Sequence, residues 1–382
     1  MMESIISAAS CAVLLAAVIV ALRWPKQRCL GAMPTSLPVF MAILFTSGLD
    51  VGLVMLPLVD FEILTQSDAY AFSNPAAIEF GFWAFLVWGF YFMTTVYFCV
   101  LEPRLQLFEI PIIKAVNNVV IIGTCAFTAY LFLLYLPEYA QGISDLTRFS
   151  LVALVILFAV LSSTHIRYIK ALSIGSVLLF LALIFGVWWQ SDLGVHGFYV
   201  AAVAMSDYFY HLPRFFTPIT DYHQFYLFWW FAWSIMIGQF VANFASGLRL
   251  WQLLPALLIM PSIPIASWFA VVYGIFSQGL EIPTAWRLAM VVVGTLFVVN
   301  SLDSLIRLYT ANSGWTADKI GLPRYLSANW VLLAGLVLLY QYTPLRIEWF
   351  GLTVIGLYIV TIIGLFKRRQ RLVAPDVTCS VS

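Results

Sequence analysis

The chain has 382 residues, 63% of them hydrophobic and 10% charged, against roughly 45–50% apolar and about 25% charged in soluble globular proteins. That balance excludes an ordinary soluble domain and reads as an all-α integral membrane protein. Nineteen Lys and Arg face eighteen Asp and Glu, a net charge of +1, so charge points neither to nucleic acid nor to a strongly acidic partner.

A bilayer-spanning helix needs about 20 mostly apolar residues. Windows of that kind occur at 4–22, 37–59, 76–101, 112–136, 149–166, 169–189, 223–246, 252–276, 286–309, 325–342 and 347–366, which predicts about eleven transmembrane helices joined by short connections. In the first window, Ala8-Ala9-Ser10-Cys11 loosely resembles a lipoprotein cleavage box. Glu3 precedes it without any basic residue, and the apolar run continues to Leu22, so a membrane helix is the better reading. Cys11, Cys29, Cys99, Cys125 and Cys379 are scattered, with neither C-x-x-C spacing nor a nearby His. They imply no disulfide framework and no metal site.

The second window contains Thr46-Ser47-Gly48-Leu49-Asp50-Val51-Gly52. A carboxylate at membrane depth is a functional candidate by default, and two glycines so close together weaken the helix that carries it. Broken helices expose backbone carbonyls to an ion or substrate at the membrane midplane. Gly48 and Gly52 also form a G-x-x-x-G pair, which by itself needs only close helix packing, but packing does not account for Asp50.

Aromatic residues are abundant, with 14 Trp, 31 Phe and 18 Tyr, and most are expected at lipid-facing or interfacial positions. In the third window, Trp83, Trp88 and Tyr91 project at about 0°, 140° and 80° on a continuous helix, one broad face. Further on, Trp229, Trp230 and Trp233 project at about 0°, 100° and 40°. Two such faces can close into a box for a quaternary ammonium, each cation–π contact contributing ~0.5–2 kcal/mol; plain aromatic packing is the alternative.

Between these helices lies the longest loop, 190–222. Its segment Phe198 to Leu212 mixes apolar and polar residues and suggests a short amphipathic helix on the membrane face. In the ninth window, Asn300, Ser301, Asp303 and Ser304 form a polar island covering much of a helix circumference. A bundle interior or aqueous cavity must receive it. Asn300 and Ser301 are candidate cation ligands, and Asp303 is a structural polar residue. His165, His196, His211 and His223 read as polar surface positions. No clustered nucleophile and base, metal spacing or phosphate loop is present, so the chain is not expected to be an enzyme.

Placing the loop after the first helix in the cytoplasm puts fifteen of the nineteen basic residues on the cytoplasmic side, as the positive-inside rule requires. The acidic residues Asp60, Glu62, Asp68, Glu138, Asp145, Asp192 and Glu281 then belong to outer loops. An N-terminus outside and a C-terminus in the cytoplasm follow, for a multi-pass protein of the cell (inner) membrane.

The run Phe225-Tyr226-Leu227-Phe228-Trp229-Trp230-Phe231-Ala232-Trp233, with Gly238-Gln239-Phe240 after it, resembles the signature helix of the betaine/choline/carnitine transporter (BCCT) family. That signature is roughly F-Y-W-A-W-W-x-x-W, then G-x-F-x-A-R-x-S-x-G. Asn243 stands at the arginine position and Leu227 at the first tryptophan. Three other segments match in order: Gly48 to Gly52 with the G-M-G-I-G break, Phe82 to Tyr91 with H-W-G-L-H-P-W-A-I-Y, and Asn300 to Ser304 with T-S-A-D-S.

The resemblance implies a leucine-transporter-type fold with a 5+5 inverted repeat. The repeats would be 37–189 and 223–367, with 1–36 as an N-terminal helix and cytoplasmic loop, 190–222 as the external loop and 368–382 as a cytoplasmic tail. Members usually have two helices before the first repeat, and this chain has room for one. Trp83, Trp88, Tyr91 and Trp230 would form the box, with Trp229 and Trp233 lining the adjoining path. The family's sodium site maps to Thr46, Leu49, Phe297, Asn300 and Ser301. Asp50 replaces a small glycine and Asn300 a threonine, which leaves H+ or Na+ as the coupling ion. The expectation is a secondary transporter for choline-, betaine- or carnitine-type substrates, with no organic cofactor, no metal beyond Na+ and a candidate homotrimer. The competing class is a membrane receptor or sensor that kept the fold and lost transport.

Overall fold

The computed structural model describes residues 1–33, 35–49, 51–140, 142–368 and 370. Asp50, singled out above, and Cys379 lie outside the described residues. Fifteen helices of nine residues or more build the described chain. The first repeat contains α2 (Leu37–Gly48), α3 (Val51–Gln66), α4 (Pro75–Trp83), α5 (Leu86–Val96), α6 (Pro111–Tyr139), α7 (Asp145–Ser162) and α8 (Ile166–Gln190), preceded by α1 (Met2–Arg23). After α9 (Gly194–Ala204), the second contains α10 (Asp221–Ala242), α11 (Leu250–Leu258), α12 (Ser262–Ser277), α13 (Thr284–Ser313), α14 (Leu322–Tyr342) and α15 (Ile347–Lys367).

Among the described residues ten spans are long and apolar enough to cross a membrane, and the bent pair α2 and α3, inclined at 49°, makes an eleventh. The eleven predicted windows are therefore present, three of them interrupted, at α2–α3, α4–α5 and α11–α12. Local chemistry marks the ends. Pro75 opens α4 with the Asn74 side chain accepting from Ala77 N at 3.0 Å. Thr220 caps α10 by accepting from His223 N at 3.2 Å, and Gly314, at φ 71°, closes α13. These are ordinary helix signals: a side-chain acceptor for orphan N–H groups at one end, and a residue free to turn left-handed at the other.

The packing repeats itself. α2 packs on α8 as α10 packs on α15, α8 on α13 as α15 on α6, and α7 on α13 as α14 on α6. α3 meets α12 as α10 meets α5, while α6 with α13 and α7 with α14 are self-matched pairs. The second set of five spans thus repeats the contacts of the first. Equivalent helices are offset by five spans along the chain, so they cross in opposite senses. This is the inverted five-plus-five arrangement, and it sets α2–α3 and α10 at the centre. α1 lies outside both sets against α5 and α10, exposing Leu15, Val18, Ile19 and Leu22.

The face carrying the α1–α2 loop is called here the basic face, and its opposite the acidic face. On the basic face, residues 28–33 are clipped to the segment after α10. Cys29 N donates to Leu248 O at 2.8 Å, Gly247 N to Cys29 O at 3.0 Å and Met33 N to Asn243 O at 2.8 Å.

On the acidic face, the expected amphipathic helix differs from its prediction. α9 starts at Gly194 and ends at Ala204; a separate turn, Asp207–His211, and a tight helical turn, Leu212–Phe216, follow. The break comes where Tyr208 turns inward. Tyr208 is fully buried and packs on Phe80, Phe85 and Phe215, so this part of the loop folds over α4 as a lid, while α9 exposes Val195, Tyr199, Val200 and Val203.

Candidate functional site

A single projection from Trp83 to Tyr91 does not hold, because the helix stops at Trp83. Phe85 takes φ 44° and ψ −66°, a γ-turn-like conformation that a side chain tolerates poorly, and α5 starts at Leu86. Trp88 bridges this break: its indole N–H donates to Trp83 O at 3.1 Å. Trp83 and Trp88 therefore belong to two different ring groups.

The first group joins α4 to α10. Trp83 meets Trp230 at 5.0 Å and Trp229 at 5.7 Å between ring centroids, both edge-on, and Tyr226 at 5.9 Å. Trp229 and Trp230 stack at 4.7 Å with planes 10° apart. The second group, Trp88 and Tyr91, packs edge-on at 5.2 Å over the end of α2, where Tyr91 OH donates to Gly48 O at 3.2 Å. Trp233 is fully buried one turn further along α10. Among the described residues, the indole N–H groups of Trp229, Trp230 and Trp233 are buried without an acceptor, while that of Trp83 faces the Glu79 carboxyl. Buried donors are normally paired, so three in one region mark a place where a partner with acceptor oxygens would be stabilised.

Gly48 ends α2 in direct contact with Trp88. A Cβ there would lie 2.8 Å from Trp88 Cη2 and 3.4 Å from Tyr91 Cε2. Beyond Gly48, Leu49 is extended at φ −129° and ψ 156°, and the main-chain oxygens at this helix end converge on α13. Ser301 Oγ donates to Leu49 O at 2.8 Å and to Thr46 O at 3.3 Å. Thr46, Leu49 and Ser301 are thus brought together, as the resemblance implies.

Asn300 is not directed at that point; its amide pairs with Ser173 Oγ of α8 at 3.3 Å. The Phe297 ring packs edge-on against Phe45 and Phe180. Ser173 is a neighbour that sequence reading passed over, since one serine in an apolar window carries no signal alone. Gly52 lies in the first turn of α3. Asp303 is buried and clamped: it accepts from Arg307 Nε at 2.6 Å and from Ser162 Oγ at 2.5 Å, while Arg307 Nη2 donates to Ser162 O and His165 O at 2.6 and 2.7 Å. This ties α13 to the end of α7.

Two assignments are corrected. Asp60 is not an outer-loop residue: it is 2% exposed, inside α3, and its Oδ2 accepts from Tyr222 OH at 2.8 Å and Tyr226 OH at 3.1 Å. The predicted window stopped at residue 59, one residue short. His223 is not a surface residue but is buried, stacked on Phe82 at 4.9 Å, with Nδ1 accepting from Ile219 N at 3.1 Å. Glu79, 0% exposed, is a further buried carboxyl beside Asp60. It is the only acidic residue within the third window and lies near its start.

Outside the spans, Tyr70 donates to or accepts from Thr220 Oγ1 at 2.5 Å, and burial pushes its phenol up to about 12. Burial likewise raises Tyr208 in the lid. Two cavities lie on opposite faces, and no residue of the ring cluster lines either of them. One of about 340 Å³ on the basic face is lined by Phe240, Asn243, Arg307, Thr310, Asp318 and Tyr325. The other, about 230 Å³ on the acidic face, is lined by Leu58, Glu138, Tyr139, Phe276 and Arg287.

No family model and no curated protein sequence matches the chain. Among solved structures it is similar to a Na+-coupled sialic acid symporter in a substrate-bound outward-open state, at 15% identity and a TM-score of 0.45, over 97% of this chain and 85% of that one. The five-plus-five arrangement described above rests on the helix contacts of this chain itself and not on that likeness.

Proposed function

We propose that the chain is a secondary transporter that imports a small quaternary ammonium or related zwitterionic osmolyte of the choline, betaine or carnitine type by alternating access. The observation that carries the reading is the ring cluster at the centre of the inverted repeat. Trp83, Tyr226, Trp229 and Trp230 are in mutual ring contact, and the indole N–H groups of Trp229 and Trp230 lack acceptors among the described residues. Ring faces attract a methylated ammonium, and the unpaired N–H groups suit the hydroxyl or carboxylate at the other end of such a molecule. Trp88 and Tyr91 supply a second pair of rings beside the helix break, and Trp233 lies on the continuation of the path.

The repeated packing of the two five-span sets, with the ring cluster at their centre, supports alternating access. The charge asymmetry supports an N-terminus outside and a C-terminus in the cytoplasm of the cell (inner) membrane, and a homotrimer follows from the family resemblance alone. For coupling, Asp50 is the proposed proton carrier. Sodium held by Thr46 O, Leu49 O and Ser301 Oγ is the second reading, favoured by the convergence of those three oxygens.

The test is uptake into liposomes of choline, betaine and carnitine with and without sodium at two pH values. Wild type is expected to accumulate at least one of them, and Trp88→Leu with Trp230→Leu to lose tenfold or more of the rate. Unchanged uptake in that double variant would sink the mechanism. Ligand-induced tryptophan fluorescence changes without flux would make the protein a receptor instead.

A further inference from the structure

Asp60 and Glu79 are neighbouring carboxyls, 2% and 0% exposed, on the two helices α3 and α4 that meet at the acidic face. Tyr222 and Tyr226 of α10 both donate to Asp60 Oδ2, at 2.8 and 3.1 Å. The Glu79 carboxyl faces the Asp60 carboxyl and the buried indole N–H of Trp83. The remaining titratable groups around the pair are the phenols of Tyr70 from the α3–α4 turn and of Tyr135 and Tyr139 from α6, with the buried His223 of α10 beside Tyr70 and Phe82. Arg287 and Glu138 face Tyr139, and among the described residues no Lys, Arg or His forms an ion pair with either carboxyl.

Two carboxylates side by side in a dry site repel and keep no solvent to screen them, and an uncompensated buried charge is strongly destabilising. One positive charge must therefore be taken up. The rings around the pair are already in contact, with Phe82 stacked on Tyr226 at 4.8 Å and Trp83 edge-on to Tyr226 at 5.9 Å. A proton needs no volume, whereas an organic cation would have to part these rings.

We propose that Asp60 and Glu79 form a proton-binding site that latches the acidic face: one proton shared between them holds α3, α4 and α10 together, and its release to water lets α4 move away from α3. The tyrosine donors keep the charge on Asp60, so Glu79 is the group that carries the proton. The site joins the outer half of the broken span to the helix under the lid, which are the elements an opening on this face must separate. The inference goes beyond the transport reading and does not depend on which solute is carried.

The full chain in lipid nanodiscs, free of organic cations, is titrated by infrared difference spectroscopy, with quenching of tryptophan fluorescence by an aqueous quencher followed in parallel. The expected result is a protonated-carboxyl band that disappears as pH rises, with quenching increasing about twofold at the same midpoint. Glu79→Gln abolishes the band, and Tyr222→Phe, which keeps both carboxyls, moves the midpoint by about one pH unit, a tenfold change in proton affinity. The proposal is overturned by absence of a titrating band, by a band indifferent to both variants, by a midpoint set by sodium rather than pH, or by quenching that ignores the titration. Should Glu79→Gln fail to fold, Tyr222→Phe decides alone. Because no substrate is present, failure of quaternary ammonium uptake leaves this outcome untouched.

Discussion

Ser301 Oγ on α13 reaches across to the open end of α2 and donates to Leu49 O at 2.8 Å. The helix break is thus held by a hydroxyl from the other repeat. Ser301→Ala leaves the carbonyls of Leu49 and Thr46 buried without that donor. Thermal unfolding in detergent should show a loss of about 1 kcal/mol. If these oxygens form a sodium site, any stimulation of uptake by sodium disappears as well; a variant with unchanged sodium response rejects that reading.

Gly48 has no room for a side chain. The Trp88 ring is fixed by its N–H bond to Trp83 O, and Tyr91 is tied to Gly48 O itself. Gly48→Ala would place a methyl 2.8 Å from Trp88 Cη2, an overpacking that costs about 1–3 kcal/mol. The variant should bind ligand more weakly in a tryptophan fluorescence titration, whereas Gly335→Ala, facing open space, should leave binding unchanged.

The Asp303–Arg307 pair predicts an asymmetry. Asp303 is fully buried and Arg307 is 14% exposed, so Arg307→Gln strands a carboxylate in the bundle and should cost about 3–5 kcal/mol. Neutralising both, with Asp303→Asn and Arg307→Gln, should recover most of that loss. A double variant no more stable than the single one would mean that the hydrogen bonds to Ser162 and His165, not the charge, hold α13 to α7.

Tyr70 gives a pH dependence with a definite sign. Its phenol is pushed up to about 12 by burial, above the ordinary value of about 10. Since the folded-state value is the higher, the stability linked to the neutral phenol is complete below about pH 10 and is lost as pH rises through about 12. Unfolding followed across that window should show a step for wild type that Tyr70→Phe lacks; the same step in the variant would assign it elsewhere.

Much of the architecture was legible in the sequence because a membrane span announces itself by composition. Eleven apolar windows, the glycine pair at 48 and 52, and the polar island around Ser301 all stand out against a bilayer that penalises anything else. Sequence by itself determined the solvent, the number of spans and the residues worth watching.

Tertiary structure alone decided how those residues combine. A projection at 100° per residue assumes an unbroken helix, and the turn at Phe85 splits Trp83 from Trp88 into two ring groups. Asp60 reads as a loop residue because its window ends one position earlier, yet α10 supplies two tyrosines that make a buried place for it. Asn300 and Ser301 are adjacent in the chain, but helical geometry turns one toward Ser173 and the other toward Leu49. Hydropathy measures what a residue costs in lipid, while which partner meets that cost depends on helices more than a hundred residues away in the chain.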